Sequence, residues 1–181
     1  MQLYRYMWQP ARYASPAWLL TLGFRPPDGW HYGHSPLRDR LLDRALRSRL
    51  RPVIIPGVLN EREQRLARLA PRIVTYALGL GLAIIGRTDY FMLPHYRQAF
   101  LPWLTEAELW RLYGWLGPKN GTLLAPSVVV DTALQIGTLS LYRQARHDPV
   151  LHALLILLPP PQRALWPRLP SGARAFLEHL L

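Results

Sequence analysis

Cysteine is absent from the 181-residue chain, and lysine occurs once, as Lys119. Without cysteine the chain can form no disulfide, no thiolate metal site and no cysteine nucleophile. Charged residues are also scarce at 18%, whereas half of the residues are apolar. That apolar content can form a buried core, and a mass of 20.9 kDa suits one domain or two small ones. We therefore expect a single domain over residues 1–181.

A hydrophobic run long enough to span a membrane is missing as well. The longest apolar stretch, IVTYALGLGLAIIG at residues 73–86, has 14 residues, whereas a spanning helix needs roughly 20. The N-terminus has no apolar segment of signal-peptide length. We expect residues 73–86 to form a buried core helix in a cytoplasmic protein.

Signals for helix ends are frequent along the chain. Ser35-Pro36 is a typical helix start, Asn60 and Glu63 have the spacing of a capping box, and so do Thr105 and Glu108. Asp148-Pro149 begins another apolar segment. Residues 1–14, in contrast, are rich in aromatic side chains without a helical stripe, which favours an extended arm. The sequence thus predicts an all-α fold of about eight short helices with an extended N-terminal arm.

The motifs of catalysis and cofactor binding are not found. His31 and His34 have metal-like spacing, but they lie in a Gly/Pro-rich loop without the glutamate of a zinc-protease helix. Gly79, Gly81 and Gly86 only faintly match a dinucleotide fingerprint, and no strand precedes them, so close helix–helix contact is the better interpretation. We expect no catalytic residue, no metal and no cofactor.

Positive charge is the strongest compositional feature. The net charge is +11, and residues 1–72 hold 13 arginines against 5 acidic residues. Much of this positive charge lies on a predicted helix that ends before Pro52. Two adjacent i, i+4 leucine rows are predicted to form its single apolar face: Leu37 and Leu41 with Ala45, and Leu42, Leu46 and Leu50. The candidate partner-binding residues on this helix are Arg38, Arg40, Arg44, Arg47 and Arg51. Three interpretations stay open: docking on an acidic protein, nucleic-acid binding, and a solvated face in which Asp43 pairs with Arg47.

Three segments resemble the SctK family (YscK and PscK type) of bacterial type III secretion systems. They are Arg5-Tyr6 with Pro10-Ala11 and Tyr13, the LGLAIIG sequence at residues 80–86, and a downstream series with Gly117-Pro118, Gly137 and WPRLP at residues 166–170. The resemblance implies a non-enzymatic, helical adaptor of the sorting platform, at the cytosolic face of the inner membrane. Its implied partners are the SctD cytoplasmic domain and SctQ, and, indirectly, SctL and the SctN ATPase. A basic helical nucleic-acid-binding module is the alternative.

Overall fold

The computed structural model describes residues 2–50, 54–55, 57–115 and 123–161. Within these ranges eleven α-helices occur and no β-strand, which confirms the all-α prediction. The helices are α1 (Gln2–Trp8), α2 (Pro10–Tyr13), α3 (Pro16–Thr21), α4 (Pro36–Leu50), α5 (Glu61–Arg68), α6 (Ile73–Ile85), α7 (Asp89–Met92), α8 (Pro94–Phe100), α9 (Glu106–Trp115), α10 (Pro126–Gln144) and α11 (Pro149–Leu154). Short 3-10 turns at Ala70–Arg72, Ala145–His147 and Leu155–Leu157 adjoin α6, α10 and α11.

Proline explains why the described residues contain more helices than the predicted eight. Six helices have proline as their first residue: α2, α3, α4, α8, α10 and α11. The backbone N–H at the first position of a helix has no intrahelical acceptor, so proline, which lacks this N–H, loses no hydrogen bond there. Its fixed φ angle also suits the helix. Each such proline also ends any preceding helix, so the chain is divided into short pieces.

The N-terminal segment corrects one prediction. Residues 1–14 were expected to be extended, but Gln2–Trp8 and Pro10–Tyr13 are helical. The reason is tertiary packing: Leu3, Tyr6 and Ala11 are buried, and the Tyr6 and Tyr13 rings meet edge to face at 5.0 Å. Aromatic residues favour strands only weakly on their own, and burial of one helical face outweighs that preference.

The two predicted capping boxes are both present. The Asn60 side chain accepts a hydrogen bond from the Glu63 backbone N–H at 2.9 Å, and the Glu63 carboxylate accepts one from the Asn60 N–H at 2.8 Å. Thr105 and Glu108 make the same reciprocal pair at the start of α9. Each box satisfies backbone donors that would otherwise lack partners and thereby fixes where the helix begins.

The described residues group into two compact units. The first comprises residues 1–73 and 142–160, and in it α2 packs against α4, while α11 packs against α1 and α5. The Trp18 indole N–H donates to the Leu158 carbonyl at 2.9 Å. This bond connects α3 to the residue that follows the 3-10 turn Leu155–Leu157. Chain segments distant in sequence therefore close this unit's core. That residues 1–181 form one domain stays a prediction.

The second unit is built around α6 and α10 between residues 74 and 141. At their crossing, a Cβ atom on Gly81 would lie 1.7 Å from the Ala133 carbonyl oxygen, and one on Gly137 would lie 1.7 Å from that of Ala77. The two backbones thus touch directly. This contact confirms the predicted role of Gly81 and the prediction that residues 73–86 contain a buried core helix. Gly86, with φ 71°, instead ends α6.

In the part of the chain that the structure describes, no single helix has the length and apolar content to cross a bilayer. The segments Glu61–Arg68 and Ala70–Ile85 reach that length and composition only when they are taken together.

Candidate protein-docking surface

Helix α4 buries one of the two leucine rows that were predicted to form its apolar face. Leu42 and Leu46 are buried, but Leu37 and Leu41 are 69% and 57% exposed, so the first leucine row is not part of the core. The buried positions are completed by two acidic residues, Asp39 and Asp43. A pattern of apolar residues could not show this, because aspartate is normally placed at the surface.

Asp43 is held inside the first unit by two hydrogen bonds. One carboxylate oxygen accepts from the Ala11 backbone N–H at 2.9 Å, and the other accepts from the Tyr32 hydroxyl at 2.8 Å. The first bond satisfies a donor at the N-terminus of α2, where a negative charge is also favoured by the helix dipole. Burial and the second bond, from the Tyr32 hydroxyl to Asp43, raise the pKa of Tyr32 to about 12.

The ion pair between Asp43 and Arg47, which belonged to the solvated-face interpretation, is therefore wrong. The Asp43 carboxylate points inward, and Arg47 Nε donates instead to the Asp43 backbone carbonyl at 3.3 Å. The Arg47 guanidinium lies over the Trp8 ring of α1, 5.7 Å from its centroid. The carboxylate is instead used by the buried Ala11 N–H and the part-buried Tyr32 hydroxyl. An unsatisfied buried donor costs more than a partly exposed ion pair contributes.

Asp39 is turned inward in the same way. It is 5% exposed, and one of its oxygens accepts from the Gly33 backbone N–H at 2.8 Å. Gly33 has a φ of 102°, a conformation that favours glycine. Asp39 thus fixes the turn that precedes α4. With both carboxylates of α4 buried, the outward charge of this helix comes from arginine alone.

Three of the candidate arginines form a single row. Arg40, Arg44 and Arg47 follow one another at i, i+4 and i+7, the spacing that places residues on one side of a helix. Arg40 and Arg44 are exposed and Arg47 is half-buried. We call these three residues the arginine row. Over seven residues at about 1.5 Å per residue it is roughly 10 Å long.

The other two candidates do not join the row. Arg38 is exposed at a different angle around α4, and its guanidinium lies over the Phe24 ring at 5.8 Å from the centroid. Arg51 lies outside the described residues. The exposed leucines Leu37 and Leu41 are close to the row in helical angle, so this side of α4 is both basic and apolar.

A groove opens at the C-terminal end of the arginine row, between α1, α4 and α11. Its volume is about 400 Å³, and its lining includes Tyr4, Trp8, Arg47, Leu50 and Ile54. We call it the α1–α4 groove. Trp8 is 66% exposed at its edge, which is unusual for so large an apolar side chain. Tryptophan, tyrosine and arginine are also the residues most enriched at binding hot spots.

His152 of α11 also lines the α1–α4 groove. Burial lowers its pKa below the ordinary value of 6.5, and a hydrogen bond to the Leu50 backbone acts in the opposite direction. Among the described residues, no three histidine, aspartate or glutamate side chains are close enough to hold a metal ion. His31 and His34 are both exposed, with ring centroids 5.6 Å apart.

The chain matches a known protein family over most of its length. Residues 1–160 match the family described as type III secretion system subunit. The chain belongs to this family. No curated protein matches the chain, and neither does any solved structure. The family assignment agrees with the type III secretion resemblance in the sequence and is broader than SctK.

For this type III secretion system subunit, sequence reasoning located the basic helix but missed the α1–α4 groove. The groove depends on α1 being helical, because only then does Trp8 face Arg47. The signal that could have revealed it was the i, i+3 pair Leu3 and Tyr6, both of them buried. Gly117-Pro118 and residues 166–170, which contributed to the SctK resemblance, lie outside the described residues.

Proposed function

We propose that this subunit is a non-enzymatic adaptor of the type III secretion sorting platform, as in the SctK family. In this proposal it joins the cytoplasmic domain of SctD to SctQ, and through SctQ it is connected to SctL and the SctN ATPase. It acts at the cytosolic face of the inner membrane without a cofactor. Membership of the type III secretion system subunit family supports a function in that system. The resemblance of residues 80–86 to the central SctK helix supports the adaptor role.

The observation that carries a docking role is the one-sided charge of α4. Asp39 and Asp43 point inward, so no carboxylate of α4 neutralises the arginine row. Aligned exposed arginines raise the rate of association with an acidic surface and make charge-assisted bonds to its carboxylates. Apolar neighbours such as Leu41 add contact area beside these charges.

The test is co-purification with the SctD cytoplasmic domain and with SctQ, each alone and both together. Replacing Arg40, Arg44 and Arg47 by glutamate should weaken at least one of these interactions by tenfold or more, since about 1.4 kcal/mol corresponds to tenfold. The change should leave helicity largely intact, because Arg40 and Arg44 are exposed and exposed substitutions cost little stability, while Arg47 is half-buried. Binding is measured by calorimetry and helicity by circular dichroism.

A matched control separates the row from overall charge. Arg25, Arg68 and Arg111 are exposed arginines outside α4, and their replacement by glutamate changes the net charge by the same amount. We expect this control to bind both partners nearly as well as the unchanged chain. Failure to bind either partner would refute the adaptor role. Equal effects of both triple variants would refute the specific role of the row.

The nucleic-acid alternative has one observation in its favour, since the arginine row could also contact phosphates. It makes a distinct prediction: affinity for duplex DNA or RNA would fall steeply with salt, with a slope near −0.9 per neutralised phosphate. A titration of the unchanged chain and the arginine-row variant against a duplex, from low to physiological salt, measures that slope. Tight, row-dependent binding at physiological salt would favour this alternative over the adaptor.

A further inference from the structure

The α1–α4 groove and the arginine row are adjacent, and Arg47 belongs to both. Among the described residues that line the groove, Arg47 is the one with a permanent charge, while Tyr4, Met7, Leu50 and Ile54 are apolar or aromatic. A ligand that covers both features therefore needs apolar groups at one end and negative charges along about 10 Å of its length.

We propose that the α1–α4 groove binds an acidic amphipathic helix of a partner protein. Apolar side chains of that helix enter the groove against Trp8, and carboxylates on its adjacent face pair with the arginine row. The proposal specifies the kind of partner segment that the adaptor binds, and it rests on the proposed function in expecting a protein partner.

The size of the groove suits such an occupant. A volume of about 400 Å³ lies within the range of roughly 300–1,000 Å³ typical of ligand sites, and it holds a few large apolar side chains. Grooves between helices commonly bind amphipathic helices through residues at i, i+3, i+4 and i+7. Carboxylates at i, i+4 and i+7 on the adjacent face of the bound helix would match the spacing of Arg40, Arg44 and Arg47.

Charge complementarity decides between the possible partners. Nucleic acid would match the arginine row but would place charged backbone or polar base edges against an apolar groove. A second copy of the same helix would bring a like-charged arginine row, since the outward charge of α4 is entirely positive. An acidic amphipathic helix satisfies both features at once.

The arrangement of Arg47 and Trp8 prepares this site for a carboxylate. The guanidinium lies over the indole face, and its Nε donates to the Asp43 carbonyl. Among the described residues, its other N–H groups have no hydrogen-bond acceptor. A guanidinium has five N–H donors in one plane, so stacking leaves an edge that can bind a carboxylate. Trp8 thus holds the arginine side chain in place while it provides apolar surface to the groove.

The experiment uses the full chain and a labelled synthetic peptide of about 18 residues, which is five helical turns. The peptide has leucine at i, i+3, i+4 and i+7 and glutamate on the adjacent face. A scrambled peptide keeps its composition and charge without the amphipathic spacing. We expect the ordered peptide to bind at least about tenfold more tightly by fluorescence anisotropy, because only it can fill the groove and pair with the row together.

Three groove variants and one matched control locate the binding. Trp8→Ala and Arg47→Glu should each weaken binding of the ordered peptide about tenfold or more. Trp110→Ala is the control, because Trp110 is likewise an exposed tryptophan, at 47%, and the Arg97 guanidinium lies over its ring, 5.6 Å from the centroid, in the other unit. It should change the affinity less than twofold. Circular dichroism verifies that each variant is folded, and Tyr4→Ala serves as a further groove variant.

Three results would overturn the inference. They are equal binding of the scrambled peptide, an affinity that neither Trp8→Ala nor Tyr4→Ala changes, and self-association of the chain that is lost in Trp8→Ala. The last would show that a second copy occupies the groove. Because the peptide assay contains neither SctD nor SctQ, it can fail while co-purification succeeds, and the two failures are distinguishable.

Discussion

The crossing of α6 and α10 allows a sharp prediction about a single methyl group. A Cβ atom at Gly81 would lie 1.7 Å from the carbonyl oxygen of Ala133 and 2.5 Å from its carbonyl carbon. Side-chain carbons do not approach oxygen closer than about 3 Å, so the two backbones must separate by more than about 1 Å. No side-chain rotation can relieve the clash, because the contacted atoms belong to the main chain.

Gly81→Ala should therefore destabilise the protein although alanine is the better helix former. Overpacking of a tight core costs about 1–3 kcal/mol or more, whereas the gain in helix propensity is about 1 kcal/mol. A clash with main-chain atoms at 1.7 Å places the cost at the upper end of that range, so we expect a net loss of about 2 kcal/mol or more in the free energy of unfolding. Urea denaturation followed by circular dichroism measures it. Gly81→Leu, with a larger side chain, should prevent normal folding.

Gly79 provides the control within the same helix. Among the described residues, a Cβ atom there would meet only the Leu112 side chain, at an ordinary 3.7 Å. Gly79→Ala should be neutral or stabilising by up to about 1 kcal/mol, since it adds helix propensity without a clash. If Gly81→Ala proved as stable as Gly79→Ala, the reasoning about direct backbone contact would be refuted.

Two further predictions concern the first unit. Asp43→Ala should cost about 2–4 kcal/mol in urea denaturation, because it leaves the buried Ala11 N–H and the Tyr32 hydroxyl without their acceptor. Asp43→Asn, which keeps one acceptor oxygen, should cost less, and equal losses would contradict this assignment. Because the pKa of His152 is lowered by burial, the unfolded chain takes up a proton before the folded one as the pH falls. The stability that this neutral histidine contributes should be complete above pH 6.5 and should decrease below it. Thermal denaturation between pH 7.5 and pH 5 should show a smaller decrease for His152→Gln, and an identical decrease would count against this role.

The sequence predicted the parts of the fold that depend on local rules. Capping boxes such as Asn60 with Glu63 involve residues three apart, so their chemistry is visible in a short stretch of sequence. Close contact at Gly81 was also predicted, because several glycines within an apolar helical run suggest that another helix approaches. These features needed no knowledge of the distant chain.

Features that depend on distant contacts were missed. Asp43 is buried because its acceptors meet the Ala11 N–H, 32 residues away, and the Tyr32 hydroxyl. The helical state of residues 2–8 depends on packing against α11, which is more than 140 residues away in sequence. Both facts follow from tertiary structure, and the α1–α4 groove, which requires them, could not be derived from local patterns. The arginine row, in contrast, could be derived from the sequence, because helical spacing alone aligns Arg40, Arg44 and Arg47.

The inward carboxylates of α4 have a consequence for the solution conditions to which this helix responds. Its outward-facing ionised groups are guanidinium groups, which stay protonated from acidic to alkaline solution. Acidification within the physiological range therefore does not change the sign or size of its outward field. Dissolved ions, in contrast, shorten that field to about 8 Å at 0.15 M, so ionic strength rather than acidity sets how far α4 attracts a charged partner.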